Sequence, residues 1–338
     1  MPQRPRIAVF STGGTIASVS TDDSTAAPRL TAEDLLSAVP QLGEIGDLEG
    51  VGFRQLASSE LTVADMIALA HEIGRTIATG AVVTQGTDTL EETAFALDLL
   101  WDGEAPVVLT GAMRNPALPG ADGPANLLAA ALVAASPLAR GLGALVVFND
   151  EVHLPLFVRK THTTNPATFR SLLTGPIGWI VEGRPRIALR PAVRHHIGIA
   201  SVPEMIPPVA LVKATIGDDG RLLGAVGSLG YQGLVIEATG GGHVPHAMVE
   251  PLASLARSVP VVLASRTGAG ELLRHTYGFP GSETDLLNRG LIHAGILDGP
   301  KARVLLTLLL IARVGPEVIA EAFSAIGVPG SRPAFRWS

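Results

Sequence analysis

Residues 11–18 read STGGTIAS and follow the apolar run Ile7-Ala8-Val9-Phe10, while residues 84–93 read TQGTDTLEET and follow Ala81-Val82-Val83. In each, a short run with the length and composition of a buried strand stops at glycine, and a threonine, Thr15 or Thr87, comes one residue later. A strand that ends in glycine lets the backbone turn sharply and a ligand come close. The next hydroxyl then projects over the carboxyl edge of a parallel sheet. Two such hydroxyls, with Asp88 beside one of them, point to a site for nucleophilic chemistry.

Working outward, short apolar runs at 6–12, 51–57, 80–84, 106–110 and 143–148 alternate with helical patterns. Thr31-x-x-Asp34, Thr62-x-x-Asp65 and Thr89-x-x-Glu92 resemble capping boxes that start those helices. Alternating strand and helix predicts an α/β fold with a doubly wound, mainly parallel sheet, whose ligands gather beyond the carboxyl ends of its strands. Residues 151–164, EVHLPLFVRKTHTT, break the pattern and read as a hairpin or extended crossover near the sheet edge. Residues 190–208, with Arg190-Pro191, His195-His196 and Pro207-Pro208, read as a connection. The expected layout is a larger α/β domain at 1–189, a linker at 190–208 and a smaller α/β domain at 209–338. The smaller one has strand-like runs at 209–214, 233–238 and 259–265 and a helical region from Pro300.

Composition narrows the functional classes. With 338 residues, 47% apolar and 17% charged, the chain can bury a large core. Its longest apolar stretches, such as 304–312, fall well short of the ~18 residues a membrane span needs, so no membrane association is expected. A net charge of -6 with dispersed Lys and Arg argues against nucleic-acid binding. The absence of cysteine excludes thiolate chemistry and a Cys-built metal site. The histidine pairs His195-His196 and His243 with His246 lack acidic or cysteine companions at ligand spacing, so no metal site is expected. MPQRPRIAVF enters a strand-like run without the apolar core and cleavage site of a signal peptide, which makes a cytoplasmic enzyme the expectation.

Hydroxyl nucleophiles need a base or a polarising partner. No G-x-S-x-G elbow occurs, and no histidine lies in the two threonine motifs. Lys160, in VRKT, is the candidate base, because burial can tune lysine for that work; a lone lysine is otherwise a solvated surface charge. Glu91 and Glu92 read as favourable acids in a helix's first turn and receive no chemistry.

Five segments in order carry a family resemblance: STGGTIAS, TQGTDTLEETA, LTGAMR with ADGPANL, RKTHTT and KARVLL. Together they resemble the bacterial-type L-asparaginase family over essentially the whole chain. The resemblance implies a cofactor-free homodimer or homotetramer that hydrolyses the side-chain amide of a small amino-acid substrate, asparagine and often glutamine. It implies Thr15 as the nucleophile that forms an acyl-enzyme, and Thr87, Asp88 and Lys160 as the group that hands protons between water, substrate and ammonia. Backbone groups around Gly14, Gly86 and Ala112 would hold substrate and oxyanion, and Ser58 the α-carboxylate. The chain departs from the family pattern in three places. The lid tyrosine is missing from residues 18–30, since the two tyrosines are Tyr231 and Tyr277; Ser59-Glu60 follows the substrate serine; and His243 closes a GGGH turn, while Glu283 is the candidate that corresponds to an acid serving a neighbouring subunit's site. These departures keep open a glutaminase, another amino-acid amide hydrolase, and a non-hydrolytic binding or amidotransferase partner subunit.

Overall fold

The computed structural model describes residues 4–14, 16, 18–20, 26–28, 30–76, 78–330 and 333–337, with the backbone alone at 18–20 and 26–28. The chain forms two compact units, Met1–Arg194 and His195–Ser338. The connection expected at 190–208 is therefore divided between them. Arg190 donates to the carbonyls of Leu138 and Arg140 in the first unit, and the His196 N–H donates to Phe335 in the second.

The strands of the first unit are β1 (Arg6–Gly13), β2 (Ser18–Ser20), β3 (Ala26–Pro28), β4 (Asp47–Leu56), β5 (Gly80–Thr84), β6 (Val107–Thr110), β7 (Ala144–Phe148), β8 (Glu151–His153), β9 (Val158–Lys160), β10 (Phe169–Ser171), β11 (Gly178–Val181) and β12 (Arg184–Ile187). Its helices are α1 (Ala32–Ser37), α2 (Leu42–Ile45), α3 (Val63–Arg75), α4 (Leu90–Leu100) and α5 (Gly123–Ala135). Eight strands form one sheet in the order β12-β11-β8-β7-β6-β5-β1-β4. From β7 to β4 the pairings are parallel, and from β7 through β8 and β11 to β12 they are antiparallel. The sheet is mainly parallel, as the alternation implied. Its antiparallel flank begins at Asn149-Asp150, both at positive φ (50° and 62°), a two-residue turn that sends β8 back along β7.

Successive residues of the central strands face opposite ways, so one sheet builds two cores. Ile7, Val9, Val82, Val108, Leu145 and Val147 pack in one cluster with α5 residues such as Leu127 and Val133. Ala8, Phe10, Val83, Leu109, Val146 and Phe148 pack in the other with Leu69 of α3 and Leu97 of α4. Two of the expected capping boxes form, Thr31 with Asp34 and Thr62 with Asp65.

The second unit adds β13 (His196–Ile197), β14 (Val209–Lys213), β15 (Gly233–Ala238), β16 (Val261–Ser265), β17 (Ile292–His293) and β18 (Arg336–Trp337), with α6 (Arg221–Ser228), α7 (Val249–Ala256), α8 (Glu283–Asn288), α9 (Gly299–Ile311) and α10 (Pro316–Ile326). β14 to β17 form a parallel four-stranded sheet in chain order, and β13 pairs with β18. The architecture is α/β throughout, a large mainly parallel sheet and a smaller one in the second unit. Among the described residues no helix is long and apolar enough to cross a membrane.

Candidate active site

The chain leaves β1 to form β4 on one side of it and returns to form β5 on the other. In an open α/β sheet such a reversal opens a crevice beyond the carboxyl ends of the two strands, where ligands bind. Both threonine motifs emerge there. The glycines do more than turn the chain: they let the two motifs touch backbone to backbone. Gly14 sits at φ +86°, and a Cβ on it would lie 2.1 Å from the amide nitrogen of Gly86. A Cβ on Gly86 would in turn lie 2.8 Å from the Ser58 hydroxyl oxygen, and Gly111, past the end of β6, packs equally closely on the carbonyl of Gln85. The tips of β1, β5 and β6 and the turn after β4 thus form one tight cluster.

Thr15 follows Gly14 directly and lies outside the described residues, as do residues 21–25 of the loop where the family tyrosine is missing. Ser58 is buried and Ser59 exposed, at the start of a short 3-10 turn, Ser58–Glu60. Gly86 is buried, and Ala112 is buried between β6 and α5. The Ala112 loop is held by carboxylate and carboxamide groups. Asp122 accepts from the backbone N–H groups of Met113 and Arg114. Asn126 donates to the Gly111 carbonyl and accepts from the Asn149 N–H, each at 3.0 Å.

Lys160 reaches the tip of β5 from β9, which pairs with β10 as a separate two-stranded ribbon. Its ammonium lies 2.9 Å from the Thr87 hydroxyl oxygen and 2.6 Å from Asp88 Oδ1. The pair is asymmetric: the Lys160 side chain is 15% exposed and the Asp88 side chain 73%. The Thr87–Lys160 contact can carry a proton either way, since an ammonium donates to the hydroxyl and a neutral amine accepts from it. Lys160 and Asp88 line a cavity of about 560 Å³ with Thr161, His162 and Thr163. Two backbone N–H groups, of Thr164 and Asn165, donate to His162 Nδ1, which places the ring proton on Nε2.

Two side chains behave differently from their sequence reading. Thr89 makes no cap hydrogen bond to α4; its hydroxyl donates at 2.8 Å to the Ser58 carbonyl and so ties the Thr87 loop to the Ser58 turn. That tertiary acceptor takes the hydroxyl the local box would have used. Glu91, read as a first-turn acid, accepts the backbone N–H of Lys160 through Oε2. No local pattern signals this bond, because its partner is 69 residues away in the chain.

The other two candidates, His243 and Glu283, meet in the second unit. Glu283 is fully buried at the start of α8, and its Oε1 accepts from the N–H groups of Thr276 and Tyr277 at 2.9 and 2.8 Å. His243 Nε2 donates to its Oε2 at 3.1 Å, and the His243 ring meets the edges of Tyr277 and Phe279. Burial pushes the Glu283 carboxyl up, but the Tyr277 and Thr276 N–H groups with His243 outweigh it and hold it below the usual carboxylate range. The carboxylate is thus enclosed by its own unit and turned inward. Among the described residues no group of three or more His, Asp or Glu could hold a metal ion.

Comparison with known proteins covers both units. A family described as "Asparaginase, N-terminal" matches residues 6–193, and "Glutaminase/Asparaginase C-terminal domain" matches 208–323. The chain is 39% identical to a protein named probable L-asparaginase of Deinococcus radiodurans over 329 residues, covering 95% of this chain and 97% of that one. It is 34% identical to L-asparaginase 2 of Escherichia coli over 330 residues, 95% and 93% of the two chains, and 36% identical to a probable periplasmic L-asparaginase of Haemophilus influenzae over 328 residues, 94% and 92%. A crystal structure of a probable cytoplasmic L-asparaginase from Campylobacter jejuni superposes with a TM-score of 0.86 at 31% identity, covering 94% of this chain and 99% of that one.

Proposed function

This chain belongs to the bacterial-type L-asparaginase family, and on that premise we propose that it hydrolyses the side-chain amide of L-asparagine to L-aspartate and ammonia at the tips of β1 and β5. The observation that carries the reading is the bridge from the Lys160 ammonium to the Thr87 hydroxyl and Asp88, on a loop whose Gly86 packs against Gly14, the residue before Thr15. Thr15 Oγ attacks the amide carbon as its proton passes to the Thr87–Lys160 pair, and the charge on the carbonyl oxygen falls to backbone N–H groups around Gly14, Gly86 and Ala112. Collapse expels ammonia, which takes its proton through Thr87 and Lys160, and leaves a β-aspartyl ester on Thr15. Water, deprotonated through the same pair with Asp88 holding the ammonium, then hydrolyses the ester, and the proton taken from it returns to Thr15 Oγ as that oxygen leaves. Ser58 and the Ser59 turn meet the α-carboxylate as hydrogen-bond donors. His243, the partly exposed member of the second-unit pair, with Glu283 fixing its ring, would serve a neighbouring subunit's site.

The working protein in this proposal is a cytoplasmic homodimer or homotetramer that needs no cofactor. Incubating the purified protein with L-asparagine and measuring ammonia and aspartate tests the activity, and folded protein without turnover overturns it. Thr15→Ala tests the nucleophile: turnover should fall by several orders of magnitude, and mass spectrometry of a rapidly quenched reaction should find the aspartyl adduct on the wild-type chain alone. The ratio of kcat/KM for asparagine, glutamine and D-asparagine separates the asparaginase from its relatives. Light scattering across a concentration series gives the assembly state.

A further inference from the structure

We propose that Glu91 is a positioning residue for the reaction, which holds the Lys160 backbone so that its ammonium reaches Thr87 and Asp88 together. The proposal rests on the reading of Lys160 as part of the proton-handling group. Lys160 is the last residue of β9 and stands opposite Phe169 of β10. The next pair carries the ladder bond, with the Thr161 N–H donating to the Thr168 carbonyl. In an antiparallel ladder, bonded and non-bonded pairs alternate, so the Lys160 N–H points away from β10. Among the described residues β9 has no strand on that other side. Glu91 Oε2 takes the donor there.

Glu91 stands three residues beyond Asp88, in the first turn of α4. One carboxylate therefore joins the segment that presents Thr87 and Asp88 to the ribbon that presents Lys160. Lysine is a flexible four-carbon stem, and fixing its root narrows the volume its ammonium samples. On the far side, Thr168 clamps the ribbon by bonding both the N–H and the carbonyl of His162.

The test compares Glu91→Ala, Glu91→Gln and Glu91→Asp with wild type. Gln keeps an oxygen acceptor at the same reach without the charge, Asp draws it back by one methylene, and Ala removes it. Groups that orient a catalytic side chain carry factors of about ten to a hundred. Glu91→Ala should lower kcat by that much with KM held within about twofold, Glu91→Asp should fall between, and Glu91→Gln should recover most of kcat. A kcat in Glu91→Ala equal to wild type, a Glu91→Gln as slow as Glu91→Ala, or an equal loss in kcat/KM through KM alone overturns the proposal.

A second readout does not depend on turnover. The sequence has three lysines, Lys160, Lys213 and Lys301, so protein grown on ¹⁵N-lysine yields three lysine amide signals, and Lys160→Arg identifies one. Glu91→Ala should move the Lys160 signal upfield and leave the other two in place. An unmoved Lys160 signal overturns the positioning even if wild type proves inactive on asparagine, which would instead overturn the proposed reaction. If all three signals move in Glu91→Ala, the fold has changed and Glu91→Asp decides: wild-type kcat there overturns the proposal.

Discussion

Replacing Gly14 by alanine is the sharpest challenge to this architecture. The added Cβ would sit 2.1 Å from the Gly86 nitrogen and 2.3 Å from its Cα, about 1.3 Å short of the 3.4 Å at which ordinary contact begins. Both obstacles are backbone, so no side chain can swing away. Alanine at φ +86° adds about 1–2 kcal/mol of conformational strain, and forcing a methyl into a filled space adds about 1–3 kcal/mol. The expected loss is thus about 2–5 kcal/mol, relieved in part by separating the β1 and β5 turns. A separation near 1 Å between reacting groups lowers turnover by about a hundredfold. Urea unfolding and initial-rate kinetics on Gly14→Ala measure the two effects. Gly52→Ala, where a Cβ meets nothing within 4 Å, is the control and should match wild type in both. A Gly14→Ala protein within about 1 kcal/mol of wild-type stability and threefold of its kcat would refute the claim that backbone contact sets the spacing of the β1 and β5 turns.

Lys160→Met should lower kcat by about a hundredfold or more with the fold intact, and Lys160→Arg should not restore it, because a planar guanidinium cannot offer one point donor to both Thr87 and Asp88; steady-state kinetics at several pH values decides this. Asn126→Ala should destabilise by about 2–4 kcal/mol in urea unfolding, since it leaves the Gly111 carbonyl and the Asn149 N–H without the bonds the carboxamide supplies. Burial, reinforced by Arg170, lowers the His153 pKa to about 4. The fold therefore favours the neutral ring: the stability this group contributes is complete above the ordinary histidine value near 6.5 and is lost as pH falls toward about 4, a change of about 3 kcal/mol. His153→Gln should flatten the stability curve across that window, and an unchanged slope in pH-dependent urea titrations would contradict it.

What was legible in the sequence is what local chemistry determines. The strands at 80–84 and 233–238 are fixed by apolar runs with abrupt polar or glycine ends, and the parallel sheet follows from the helices between them. The threonine turns stand out because the pattern of glycine followed by a hydroxyl at a strand tip occurs twice, the second time with Asp88 beside it. The rest depends on encounters between distant residues. The Thr89 hydroxyl chose the Ser58 carbonyl, 31 residues away, over its own helix. Glu91 met an amide on a ribbon whose place beside α4 no window of sequence encodes. The inward turn of Glu283 depends on the chain at Thr276 and Tyr277 folding back over it. One overlooked signal was compositional: three lysines stand among 25 basic residues, the others all arginine. Where arginine serves as the general surface cation, each lysine is a position to inspect for work that a compact ammonium does and a guanidinium does not.

That scarcity also decides how the protein meets reagents that acylate amines. The Lys301 side chain is 2% exposed beside Asp298, and Lys160 is 15% exposed in its bridge to Asp88. Lys213 is 58% exposed, paired with Glu237 on the second unit. Of the lysines, then, one per chain is the ready target for a dye, a polymer or a resin linker. Conjugation there leaves the residue that bridges Thr87 and Asp88 unmodified.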